Sequence, residues 1–203
     1  VALASYSDLL ASVASWMNRT DLTAVIPDFV TIAESRIARD LRLRKQLVSG
    51  TMTTSTTTRA VALPTGWLEF TSVNIDGTPS TVCQAVTTEH LDTKYPEDGF
   101  SGHPFVYAIE GDYALFGPTP DDTYTVNVDY YARFAALSTG TNWLFTNHPT
   151  IYLYACMREG SLFTMNKQGA AEWDALYRSE VADLQKHDDM ATHSGSALRV
   201  KAV

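Results

Sequence analysis

Asp121 and Asp122 follow Pro120 and are the clearest paired carboxylates in the chain. Glycoside cleavage uses such a pair, one acid to protonate the leaving oxygen and one base to activate water or attack. Adjacent acids after a proline also make an ordinary turn, and the turn is the expected reading. His187, Asp188, Asp189 and His193 come nearest to a metal-ligand cluster, and at a helix end they are expected to be solvated. Gly99-Phe100-Ser101-Gly102 lacks the lysine and the strand-to-helix setting of a phosphate loop. No Gly-x-Ser-x-Gly elbow occurs, and His90, His103 and His148 are scattered. Trp67, Trp143 and the tyrosines can stack on sugars or bases, although their spacing suits a core. Cys83 and Cys156 lack metal-ligand spacing and are expected as buried free thiols of a reducing compartment. No catalytic residue, cofactor site or metal site is therefore assigned.

The elements that would carry these residues centre on residues 126–163. Val126, Val128, Tyr130 and Ala132 alternate with Asn127, Asp129 and Tyr131, the period of a half-buried strand. A polar stretch, residues 138–142, then leads to Pro149, which suits a first helical position. Residues 151–163 carry only Arg158 and Glu159 as charges. A helix that is apolar on most sides belongs inside a protein or between subunits. It is too short and too interrupted to span a bilayer, and no membrane association is expected.

Before this stretch the pattern is helical. Ser7 is expected to cap a first helix with Leu9, Leu10, Val13, Trp16 and Met17 on its buried face. Phe29, Ile32, Ala33, Ile37 and Leu41 mark a second helix. Five of the 15 basic residues lie between Arg36 and Lys45. They suit the negative end of the helix dipole. Arg36, Arg39 and Arg42 are also candidates for contact with an acidic neighbour, such as a second copy of this chain. The region 46–135 holds short strands, turns at Pro64-Thr65-Gly66, Asp76-Gly77 and Gly111-Asp112, a Thr-rich run at 51–58, and a loop at 94–105. After the apolar helix, Trp173, Leu176, Tyr177, Val181 and Leu184 give a further amphipathic helix that fades from Asp188.

The expected class is α+β. A helical bundle is built from 1–45 and 136–191, an antiparallel β domain is inserted at 46–135, and an extended tail follows at 192–203. With 203 residues and 45% hydrophobic content, the chain can bury a real core. Its net charge of −8 argues against general nucleic-acid binding. No basic stretch precedes an apolar run at the N-terminus, so no signal peptide is expected. In the tail, Leu198, Val200 and Ala202 alternate with Arg199 and Lys201, a strand pattern able to add to a sheet edge or lie in a groove of another protein.

The assembled residues resemble the head-to-tail adaptor family of tailed bacteriophages, including the tail tubular protein A type. The pieces are Tyr6-Ser7-Asp8-Leu9-Leu10, Ile26-Pro27-Asp28-Phe29 and Ala33-Glu34-Ser35-Arg36-Ile37-Ala38-Arg39-Asp40-Leu41-Arg42. Further pieces are Leu63-Pro64 with Trp67-Leu68-Glu69, Gly117-Pro118-Thr119-Pro120, Tyr130-Tyr131-Ala132-Arg133-Phe134, and Asn142-Trp143-Leu144 leading to Ile151-Tyr152-Leu153-Tyr154. The Thr-rich run and Gly160 depart from the family pattern. The resemblance implies a non-enzymatic ring, a dodecamer, between the portal protein and a tail nozzle protein, continuing the DNA channel and seating tail fibres. It implies a place in the virion neck after assembly in the host cytoplasm, with genomic DNA passing through unbound. It points to the portal as the partner of Leu198, Arg199, Val200, Lys201, Ala202 and Val203. Two other readings stand beside it: a sugar- or host-binding β module of a tail fibre using Trp67, Trp143 and the tyrosines, and an acid/base hydrolase using Asp121 and Asp122.

Overall fold

The computed structural model describes residues 3–96 and 101–192. Two helices come first, α1 (Tyr6–Met17) and α2 (Ile26–Asp40). Strands β1 (Leu47–Thr53), β2 (Ala60–Ala62), β3 (Trp67–Ile75), β4 (Thr81–Val82) and β5 (Gln84–Ala85) follow, then a short helix, α3 (Thr88–Lys94). Next come β6 (Ser101–Gly102), β7 (Val106–Glu110), β8 (Tyr113–Gly117), β9 (Thr119–Pro120) and β10 (Thr125–Ala132). Helices α4 (Trp143–Asn147), α5 (Pro149–Phe163) and α6 (Lys167–Thr192) complete the described chain. The class is α+β, as the sequence pattern indicates. Two compact units are present: Val1–Lys45 with Phe134–Val203, and Gln46–Arg133.

The helical unit is built on α5, which packs against α1, α2, α4 and α6. Ile151, Tyr152, Leu153, Ala155, Cys156, Met157, Gly160 and Ser161 are buried. Burying a large apolar side chain stabilises by about 1.5–3 kcal/mol, so this one helix supplies much of the driving force of the unit. Pro149 sits in its first turn, where a missing N–H costs nothing. α1 is capped by Ser5 and not by Ser7: extended backbone at Ser5 brings its hydroxyl to accept from Asp8 N at 3.2 Å. On α2 the buried stripe runs through Ile26, Phe29, Val30, Ala33 and Ile37, while Ile32 is 48% exposed. The core face is thus rotated toward Val30 from the expected stripe. α6 continues past Asp188 because that carboxylate is held, accepting from Arg44 N at 2.9 Å and Arg44 Nε at 3.0 Å.

Gly160 lets α1 approach α5. A Cβ placed there would meet Met17 Sδ at 2.6 Å and Phe29 Cε2 at 3.5 Å. The residue that departed from the family pattern therefore has a packing cause. The stretch expected as a polar loop after the β region also has structure: residues 137–139 form a 3-10 turn and Asn142 is buried. Its Oδ1 accepts from Phe145 N at 2.9 Å, capping α4, and its Nδ2 donates to Ala135 O at 2.7 Å and Tyr152 Oη at 2.9 Å. Glu34 Oε1 accepts from Leu137 N at 2.7 Å, tying the same segment to α2.

The β unit contains two four-stranded sheets, ordered β1-β10-β3-β4 and β2-β8-β7-β5. β10 is central in the first, with Val126, Val128 and Tyr130 buried as the alternation requires. The sheets share a core that includes Val73, Ile75, Phe116, Val126 and Val128. Leu91 of α3 packs with Val106, Ala108 and Leu115 on the other face of the second sheet. β8 is consequently buried on both faces. Gly117 is needed there, since a Cβ would lie 2.6 Å from Leu91 Cδ1.

Several details differ from the sequence reading. β5 leaves β4 and pairs in parallel with β7, and β6 pairs in parallel with β9, so pairing is not antiparallel throughout. The 94–105 region contains β6 and the end of α3. The Thr-rich run divides into the edge strand β1 and a connection in which Thr54 Oγ1 accepts from Tyr124 N at 2.7 Å.

Gly160→Ala is expected to shift unfolding free energy by less than about 1 kcal/mol, because the thioether tip of Met17 can swing away and Ala favours helix. Gly160→Leu is expected to cost about 1–3 kcal/mol through overpacking. Urea denaturation measures both; a Leu variant as stable as the Ala variant would remove the close-approach argument.

Candidate functional site

The residues weighed for catalysis are engaged separately. Asp121 Oδ1 accepts from Tyr124 Oη at 2.7 Å, and Asp122 Oδ1 accepts from Thr123 N at 2.7 Å. Both are exposed in the turn before β10. The hydrogen bond to Asp121, helped by desolvation and the nearby negative charge, raises Tyr124 to about 12. Asp188 is occupied by Arg44, and His193 lies outside the described residues. Among the described residues no group of three His, Cys, Asp or Glu is placed to hold a metal ion. Cys83 and Cys156 are both buried and unlinked. Burial lifts the Cys83 thiol to about 11 and pushes Cys156 up as well, so neither is a ready nucleophile. Trp143 stacks on Phe134, with centroids 6.4 Å apart and planes at 21°.

The basic cluster of α2 includes residues with partners inside the helical unit and one that is exposed. Arg36 reaches Asp174 of α6 and Asp40 of its own helix, and its guanidinium lies 4.7 Å from the Tyr177 ring centroid. Tyr177 Oη donates to Asp40 Oδ2 at 3.0 Å. Asp174 also pairs with Arg158 Nε at 3.1 Å and Arg178 Nε at 2.7 Å, which draws α2, α5 and α6 into one ionic cluster. Arg42 Nη1 donates to Ala38 O at 2.8 Å and Leu41 O at 2.7 Å, capping the end of α2. Arg39 is exposed and has no ion pair among the described residues. Of the three candidate contact residues, Arg36 and Arg42 thus have partners within their own subunit, and Arg39 is exposed at a pocket it lines with Ile32 and Arg36.

Burial alone would raise the Asp174 carboxyl. The guanidiniums of Arg36 and Arg178 outweigh it and hold the group below the usual carboxylate value. For Arg36, burial works against the charge and the Asp174 hydrogen bond restores it, leaving its pKa raised. Burial first, and then the negative charge of Asp40, push Tyr177 up. The phenol stays protonated and donates.

In the β unit a groove of about 530 Å³ is bordered by Trp67, Phe70, Ala85, Thr87, Tyr107 and Ile109. Trp67 and Phe70 lie 5.3 Å apart, and Phe70 meets Tyr107 edge-on at 5.9 Å. Charge is unevenly divided. Gln46–Arg133 holds eleven acidic and three basic residues, a net of −8, which equals the net charge of the whole chain. The remainder has twelve of each and is neutral. The proposed partner residues Leu198, Arg199, Val200, Lys201, Ala202 and Val203 lie outside the described residues. Among the described residues no helix is long and apolar enough to cross a membrane.

A family model described as SU10 adaptor protein matches residues 4–201, nearly the whole chain. No curated protein matches the chain.

Because the Asp174 pKa is lower when folded than when unfolded, its stabilisation is full above the ordinary carboxylate value, about 3.9, and is lost as pH falls through the folded value. Asp174→Asn is expected to cost about 1–2 kcal/mol at pH 7. It should lose less stability than the parent between pH 5 and pH 2. Parallel acid limbs for the two proteins would show that the ionic cluster adds nothing.

Proposed function

The chain belongs to that family of phage head-tail adaptors, and from this premise we propose that it forms a ring at the neck of a virion. The ring, a dodecamer, joins the portal protein to the tail nozzle protein and continues the DNA channel, with tail fibres seated on it. It assembles in the host cytoplasm and catalyses no reaction. The family match over nearly the whole chain carries this reading.

Physical features support it. Net charge −8 per chain, multiplied around a ring, opposes phosphate binding and suits DNA that must pass without being held. The helical unit commits its buried charges internally and leaves Arg39 and Ile32 exposed on α2, a mixed polar and apolar surface fit for contact with a second copy. The fibre-module and hydrolase readings find less support. Trp143 is stacked inside the helical unit, and Asp121 and Asp122 are tied into a turn.

Electron microscopy of mature particles tests the proposal. A ring of this protein under the portal is expected, and particles lacking the protein should be DNA-filled heads without tails. Its absence from mature particles would overturn the reading. Arg39→Glu is expected to keep the parental melting temperature and to reduce ring formation, read as native mass on a portal template. Unchanged ring mass would remove Arg39 from the contact.

A further inference from the structure

The first sheet of the β unit ends in an open edge. β1 is its outer strand and pairs with β10 through Leu47–Thr53. In an antiparallel pair, alternate residues turn their N–H and C=O away from the partner. On β1 no further strand takes these groups up among the described residues. Leu47 and Val48 are 46% and 42% exposed, one on each face. Such an edge is a template for any extended chain. Its two faces differ. Val48, Gly50 and Met52 stand opposite Tyr130, Val128 and Val126, the buried side of β10. Ser49 and Thr51 stand opposite Asp129 and Asn127 on the other face. Ser49 Oγ donates to Asp129 Oδ1 at 2.6 Å, and Asp129 has no ion pair among the described residues.

The chain leaves α6 near the point at which it enters β1. Asp188, in the last turns of α6, accepts from both the backbone and the side chain of Arg44. Thr192 follows Asp188 by about 6 Å of helix. Arg44–Gln46 is a compact 3-10 turn, so Leu47 begins about 6 Å beyond Arg44. Both short paths start from one contact, and chain connectivity alone keeps their ends close.

We propose that residues 198–203 of the same chain cover this edge as an added strand, parallel to β1. A segment arriving from the Arg44 end has to run in the direction of β1. Residues 193–197 bridge the gap, with a reach of roughly 16–18 Å. With Leu198 beside Val48, Val200 falls beside Gly50 and Ala202 beside Met52, so the apolar residues continue the buried face. Val200 then meets the Tyr130 ring, which lies 3.5 Å from the position of a Cβ on Gly50. Arg199 and Lys201 fall beside Ser49 and Thr51, on the face that carries Asp129, in a unit of net charge −8. A slip of one residue would turn both cations toward the core, which fixes the register. The proposal concerns the single chain and stands apart from the ring reading.

Two measurements on the full chain, without any partner protein, test it. A chain carrying Thr51→Cys and Lys201→Cys is oxidised with copper phenanthroline in air at micromolar concentration. Thr51 is exposed and the native thiols are buried, so the new cysteines are the reactive ones. A disulfide within one chain is expected. Thr51→Cys with Val200→Cys, which the register places on opposite faces, should link at least tenfold more slowly. No link, a link between chains, or equal rates for the two pairs would overturn the proposal. The second measurement is amide hydrogen exchange in a full chain carrying Leu198→Asp and Val200→Asp. The outward amides of residues 47–53 are expected to exchange at least tenfold faster than in the parent, with those of α5 unchanged. Parental exchange rates along β1 would show that the segment does not cover this edge.

Discussion

The constraint on which the helical unit depends is that α5 must be covered on nearly every side. Tyr152, Leu153, Cys156 and Met157 are each at most 4% exposed. A 15-residue helix with this composition cannot be shielded by one neighbour. Its cover comes from both ends of the chain: α1 and α2 precede the β unit, and α4 and α6 follow it. The β unit therefore enters and leaves the helical unit between elements that must meet again. Glu34 and Asn142 fix that return, one from α2 to Leu137 and the other from the start of α4 to Tyr152. Both satisfy buried polar groups that would otherwise cost about 1–3 kcal/mol each.

Charge follows the same division. In the helical unit, acids and bases balance, and several meet in the cluster around Asp174. Pairs near the surface are worth little singly, but this partly buried carboxylate, shared by three helices, restricts how they slide. In the β unit, the acids greatly outnumber the bases. Such an excess of negative charge opposes the binding of phosphate groups.

Much of this was legible in the sequence, and the failures have physical causes. The alternation in β10 and the apolar run of α5 are strong periodic signals, and both elements formed as read. Short strands were harder. β5 and β6 have two residues each and pair in parallel with distant partners, so no local pattern marks them. Ser5 displaced Ser7 as a cap because the choice depends on backbone angles and both residues are suitable. Asn142 looked like an ordinary loop residue, although its position before Trp143 fits an N-cap. For Arg36 and Arg42, composition showed a basic helix end but not its partners, since Asp174 lies 138 residues away from Arg36. Gly160 and Gly117 are explained only by what stands opposite them.

Because α1, α2, α4 and α6 all cover it, α5 is expected to be the last element of the helical unit to lose its cover. Native-state amide hydrogen exchange reads this directly. The amides of residues 153–160 are expected to exchange only through unfolding of the whole helical unit, with protection equal to its global stability and well above that of α1. Exchange in α5 as fast as in α1, at a free energy below the global value, would contradict the account.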